Sequence, residues 1–290
     1  MAKNIILHFG SHRFDLADIT VEPVAFLYML ASFLYFPTFQ SLIFDKVCIQ
    51  EYNSSDFCQD LKVNETFKLN HTTEYHTISE NTSHWILYAN ICLFIPSFLI
   101  VTLILGPLGD KMGRKFPIIL PLIGILCCYL SGLVNASFIS APLYLMLIGP
   151  VVNGICGGYI AFIMAIYSYI GHIARPDTKM MRVGLVEAMI FLSGTLGIFI
   201  SGMMLDHQGY VFVFSSILII TAVGLLYTAV WVDNVCHIVP GEDSGCLESV
   251  AKSVRGYRGC LGRSRQPGVL CCLVLMVATL DLIMLCTSGE

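Results

Sequence analysis

Three acidic side chains lie inside or at the edge of long apolar runs: Glu22, Glu187 and Asp281. A charge at the centre of a membrane span costs about 2.5–3.5 kcal/mol on insertion scales, so such residues are functional candidates by default. Glu187, in the inner third of its run, is the one expected to do chemistry. An acid in apolar surroundings has its neutral form favoured, and it takes up and releases a proton as its exposure changes. That is the chemistry of proton coupling. A second reading pairs Glu187 with Arg182 or Arg175 near the interface, and the residues alone leave both open. Gln40 and Asn153 are buried polar groups that either line a pathway or bond across helices, and Asp281 joins them as a weaker pathway candidate. Tyr28, Tyr35, Tyr159 and Tyr167 read as packing or interfacial residues, and His172 as an interfacial histidine.

A second constellation is Gly106–Lys115, a short polar gap between two apolar runs. A gap that short stays at the membrane surface as a tight hairpin. Gly106, Gly109 and Gly113 permit close backbone approach, and Asp110 and Arg114 stand four apart, where a helical turn lets them pair. The plain alternative is a cationic turn that only sets topology, through Lys111, Arg114 and Lys115.

The elements that must carry these residues are membrane helices. Apolar residues make up 56% of the chain and charged ones 12%, against about 25% charged in soluble domains, which excludes a soluble enzyme. Seven runs approach the ~20 residues a span needs: 24–44, 85–104, 116–134, 143–170, 183–204, 211–232 and 269–287. Of the 16 basic residues, all but Lys46, Lys62 and Lys68 fall on one side, so the N-terminus (1–23) is expected in the cytoplasm. Small residues recur at helical spacing, as Gly154 with Gly158 and as Ser193, Gly197 and Ser201, where helices approach closely. Residues 233–268 read as a loose cytoplasmic linker, and 269–290 as a seventh span after which the chain stops.

The segment 45–84 is polar and acidic and falls on the outer side. It carries four glycosylation sequons, at Asn53, Asn64, Asn70 and Asn81, with Asn81 near the bilayer. Asn135 forms another in a loop expected to be too short for use. Cys48 and Cys58 share this oxidising segment; they pair locally, or Cys58 pairs with a later outer loop. The other cysteines, including Cys127–Cys128 and Cys271–Cys272, read as small apolar residues, so no metal site is expected. No phosphate-binding loop, zinc motif or Ser-His-Asp arrangement stands out, so no catalytic residue or cofactor is expected. Basic residues do not cluster with aromatics in a soluble segment, so no nucleic-acid partner is expected either.

The loop Gly106, Leu108, Gly109, Asp110, Lys111, Gly113, Arg114, Lys115 resembles the signature between the second and third spans of the major facilitator superfamily. Shorter strings narrow the likeness: Val21-Glu22-Pro23, Gly113–Pro117, Asn153-Gly154 with Gly157-Gly158, and Leu185-Val186-Glu187-Ala188. With the sequon-bearing first loop they resemble the proton-coupled folate transporter and thymic stromal cotransporter family, solute carrier family 46.

The resemblance implies an all-α transmembrane fold: a six-helix N-terminal bundle (24–232) plus the start of a second half. It implies alternating access about a mid-membrane site, a gating latch at Asp110 and Arg114, and a folate-like organic anion as substrate. It also implies proton coupling at Glu187, and a plasma or endosomal membrane as location. Seven spans where the superfamily has twelve make the chain a fragment or a short product. The rival expectation is a non-transporting membrane protein that binds a full-length partner or further copies of itself and modulates the partner.

Overall fold

In the computed structural model, residues 6–9, 12–15, 19–101 and 113–234 are described. Strands β1 (Ile6–Phe9) and β2 (His12–Asp15) form an antiparallel hairpin ahead of the first helix, an element the apolar periodicity gave no sign of. Helix α1 (Glu22–Tyr52) opens with Pro23 in its first turn, where the fixed φ suits a helix start and the missing N–H costs nothing. It ends at Asn53, whose φ of 52° turns the chain away.

The segment 45–84, expected as an outer loop, is largely helical. Helix α1 runs through its first part. Helix α2 (Ser55–Val63) is capped by Ser54, whose Oγ accepts from the Phe57 amide at 3.4 Å. Helix α3 (Glu65–Asn70) is capped by Asn64, whose Oδ1 accepts from the Thr66 amide at 3.2 Å. Helix α4 (Thr72–Ile100) then begins well before its apolar part.

Four further helices follow: α5 (Phe116–Ser137), α6 (Ile148–Ile155) after a 3-10 turn at Leu143–Leu147, α7 (Gly158–Ile173) and α8 (Pro176–Trp231). The fourth apolar run is thus three pieces rather than one, broken at Gly157, where φ is 93°. Helix α8 is 56 residues long, which at 1.5 Å per residue far exceeds a bilayer of about 30 Å. Gly209, at φ 75° and ψ 176°, breaks it into legs 176–208 and 210–231. Only glycine takes that combination without strain. Among the described residues, five stretches are long and apolar enough to cross a membrane, and the last of them holds both legs. The seventh run, 269–287, lies outside the described residues.

Helix α1 is the centre of the bundle. Its first half meets α5, α7 and both legs of α8 through Val24, Tyr28, Phe162, Val186 and Ile217. Its second half meets the helices of 45–84 and Phe214. In lipid no hydrophobic force drives helix association, so contact area must come from close backbone approach. Gly154 supplies it: a Cβ there would lie 2.6 Å from the Leu93 carbonyl oxygen of α4. Gly197 does the same against α1, where a Cβ would lie 2.7 Å from that of Phe33.

Gly154→Ala is therefore expected to lower stability by about 1–3 kcal/mol, since backbone atoms cannot yield as a side chain can. Gly184→Ala meets nothing within 4 Å and should be neutral or stabilising. Thermal unfolding of the two variants in detergent checks the contrast.

Candidate functional site

Glu22 is fully buried where α1 begins. Its Oε2 accepts from the Thr20 and Val21 amides at 2.9 and 3.0 Å, just ahead of its own helix. Its Oε1 accepts from Arg182 Nε at 2.8 Å, and Arg182 is itself only 3% exposed. The guanidinium also reaches Thr20 Oγ1 at 3.3 Å. This pair fastens the start of α1 to the start of the first leg of α8. Arg182 is thereby committed to Glu22 and does not pair with Glu187, which removes one of the two partners weighed for that acid. The sequence pattern could not reveal this, because the two residues lie 160 positions apart.

Glu187 lies on the exposed side of the first leg of α8. Its Oε1 accepts a hydrogen bond from the Tyr167 hydroxyl of α7, and no Lys or Arg pairs with it among the described residues. Tyr167 had read as packing. The two residues lie on consecutive helices joined by the short turn at Ala174–Arg175, within about three turns of it on either side, so a helical hairpin can bring them together.

Of the loop Gly106–Lys115, residues Gly106, Gly109 and Asp110 lie outside the described residues. Gly113 takes a φ of 89°. Arg114 Nη1 donates to Ser168 Oγ on α7, and Lys115 Nζ donates to the Ala229 carbonyl at 2.7 Å, in the last turn of α8. A cation there meets the negative end of the helix dipole. The loop thus grips α7 and α8 at the same end of the bundle as Glu22.

Asn153 of α6 is 6% exposed, and its Oδ1 has no hydrogen-bond partner among the described residues. The Tyr28 hydroxyl, on a ring stacked against Phe162, is likewise unpartnered. Such buried orphans are rare and ask for an explanation. Gln40 is half-buried on α1. Asp281 lies outside the described residues. The structure brings neither Asn153 nor Gln40 to Glu187. A groove of about 410 Å³ is lined by Leu130, Ser131, Val134 and Phe138 and, among the described residues, by none of the candidate acids. Among the described residues no group of three His, Cys, Asp or Glu side chains is set to hold a metal.

The opposite end, which bears the sequons, holds two polar arrangements that the sequence did not announce. Lys62 of α2 sits 3.2 Å from Asp45 Oδ1 and 2.8 Å from the Tyr210 hydroxyl. Ser41 lies 3.0 Å from that hydroxyl, and Tyr210 also donates to Asp45. Beside this cluster, Cys48 and Cys58 form a disulfide that ties α2 to α1. Lys46, counted from sequence only as an outer charge, is fully buried. It donates to Asn135 Oδ1 and to the Phe138 carbonyl, each at 3.2 Å, at the C-terminus of α5. Asn135 is 5% exposed and bonded through both its amide atoms, so this sequon is closed to modification. Asn53, Asn64 and Asn70 are exposed, while Asn81 lies inside α4 and gives its Nδ2 to Glu51 at 2.9 Å.

Removing one partner of a buried ion pair leaves an unmatched charge, at a cost of about 3–5 kcal/mol. Arg182→Gln is expected to destabilise the protein by that order, and the exchange Glu22→Arg with Arg182→Glu to recover only part, because the Thr20 and Val21 amides favour an acid at position 22. Unfolding followed by Trp fluorescence in detergent checks both.

The Major Facilitator Superfamily profile matches residues 22–286. The chain is 27% identical over 228 residues to the lysosomal proton-coupled steroid conjugate and bile acid symporter SLC46A3 of Gallus gallus, covering 76% of this chain and 48% of that protein. It is 27% identical over 215 residues to the proton-coupled folate transporter of Bos taurus, covering 72% of this chain and 44% of that protein. The human SLC46A3 symporter is 26% identical over 211 residues, 71% of this chain and 45% of its own. The chain spans about half the length of these curated relatives, all of them transporters rather than enzymes. With five candidate membrane spans among its described residues and a family profile covering most of its length, the chain belongs to the Major Facilitator Superfamily.

Proposed function

We propose that the chain is the N-terminal half of an organic-anion transporter that works by alternating access, coupled to protons through Glu187. The observation that carries the coupling is the partner of that acid. Glu22 is held by the guanidinium of Arg182. Glu187 is held instead by the hydroxyl of Tyr167, a partner that brings no cation to it. The relatives support the direction: one is named a proton-coupled folate transporter and the other a proton-coupled steroid conjugate and bile acid symporter. A folate-like or similar organic anion is the substrate class.

The latch is Asp110 and Arg114, with Gly106, Gly109, Gly113 and Lys115 shaping the turn. Arg114 and Lys115 holding α7 and α8 support that role, since a latch must grip the helix ends it releases. Asn153, with Gln40 and Asp281, is proposed for the substrate pathway; the unpartnered Asn153 Oδ1 suits a ligand donor. The N-terminus is placed in the cytoplasm and the sequon-bearing end outside, in the plasma membrane or an endosomal one.

Glu187→Gln in the native-length protein should reach the surface and lose acid-stimulated uptake of labelled organic anion. Uptake that still rises at acidic pH would sink the coupling role. Asn53→Gln, Asn64→Gln and Asn70→Gln should each remove one glycosidase-sensitive step in mass, whereas Asn81→Gln should leave the mass unchanged.

A further inference from the structure

We infer that Tyr167 is the positioning residue for the proton step, a hydrogen-bond partner that serves Glu187 in both of its charge states. The inference rests on the coupling role proposed for Glu187. A hydroxyl is both donor and acceptor. With Glu187 ionised, the Tyr167 O–H donates to Oε1, as the structure has it. When a proton arrives from water, a new O–H bond forms at the carboxylate. Tyr167 keeps its own proton, turns about its C–O bond and accepts from the new carboxyl O–H. No atom is lost and no other reactant is needed. A basic partner could not do this, because it has no lone pair to offer once the acid is neutral.

The surroundings favour this assignment. Besides Tyr167, the titratable groups of α7 are Tyr159, about two turns earlier and acting electrostatically on Tyr167, and Tyr169 and His172. On α1 the nearby acid is Glu22, matched by Arg182. On its own helix, Arg182 is turned to that pair, and Lys179 reaches α7 at Gly171, a turn beyond Tyr167. Among the described residues no Lys or Arg pairs with the Glu187 carboxylate, and the Tyr167 hydroxyl is its hydrogen-bond partner. Donating to the carboxylate favours the ionised form, so its removal makes protonation easier and release harder.

Tyr167→Phe deletes only the hydroxyl. Two measurements test it. In pH-difference infrared spectra of the reconstituted chain, the protonated-carboxyl band that Glu187→Gln abolishes should appear at higher pH in Tyr167→Phe, by about one unit for loss of one bond to a charged group. In the native-length protein, the pH profile of uptake should shift toward neutral by a similar amount, with a lower maximal rate. A Glu187 band and an uptake profile that superimpose on those of the unmodified protein would overturn the inference, with the coupling role of Glu187 left standing. Acid-stimulated uptake that survives Glu187→Gln would instead sink the underlying reading, whatever Tyr167→Phe does.

Discussion

Hydrocarbon offers no hydrogen bonds, so each charge placed in it must be matched by the protein itself. The Glu22–Arg182 pair is that constraint in its plainest form. Both side chains are buried, both are bonded beyond the pair, and together they fix where α1 and the first leg of α8 begin relative to each other. The close approach at Gly197, the stack of Tyr28 on Phe162 and the alignment of Tyr167 with Glu187 are all set on a frame whose corner is this pair. It also separates the two acids: Glu22 is matched by a guanidinium, while Glu187 is bonded to a hydroxyl.

The opposite end meets the same constraint differently. Among the described residues Lys46 has no carboxylate partner and instead donates to oxygens at and just beyond the end of α5. The bond to Asn135 closes a sequon and supports a helix terminus at once. The disulfide and the Lys62 cluster then fasten the short helices α2 and α3 over this end, so that the polar segment is a built cap.

What was legible in the sequence were the features that repeat along it. Six of the apolar runs fall on helices among the described residues, because twenty apolar residues leave the backbone no other way to satisfy itself in lipid. The interruption at Asp206–Gly209 marked the turn between two legs. The helices of 45–84 were hidden, because Ser54 and Asn64 are equally at home in loops and at helix caps. The partner of Arg182 was hidden for another reason: a neighbour five positions away is visible in the sequence, and one 160 away is not. The site was therefore half legible. Its acid could be named; the Tyr167 hydroxyl bonded to it required the fold.

The single residue that separates the two legs of α8 has a mechanical consequence. Gly209 leaves no slack between 176–208 and 210–231, and Tyr210, directly after it, is bonded to Asp45 and Lys62. The far ends of the same legs are tied down as well, one through Arg182 to Glu22 and the other through Ala229 to Lys115. Such a hairpin behaves as a stiff lever pinned at three points. Strain applied at its tip cannot dissipate in a loop and is delivered to the base, where the ion pair and the cationic turn stand.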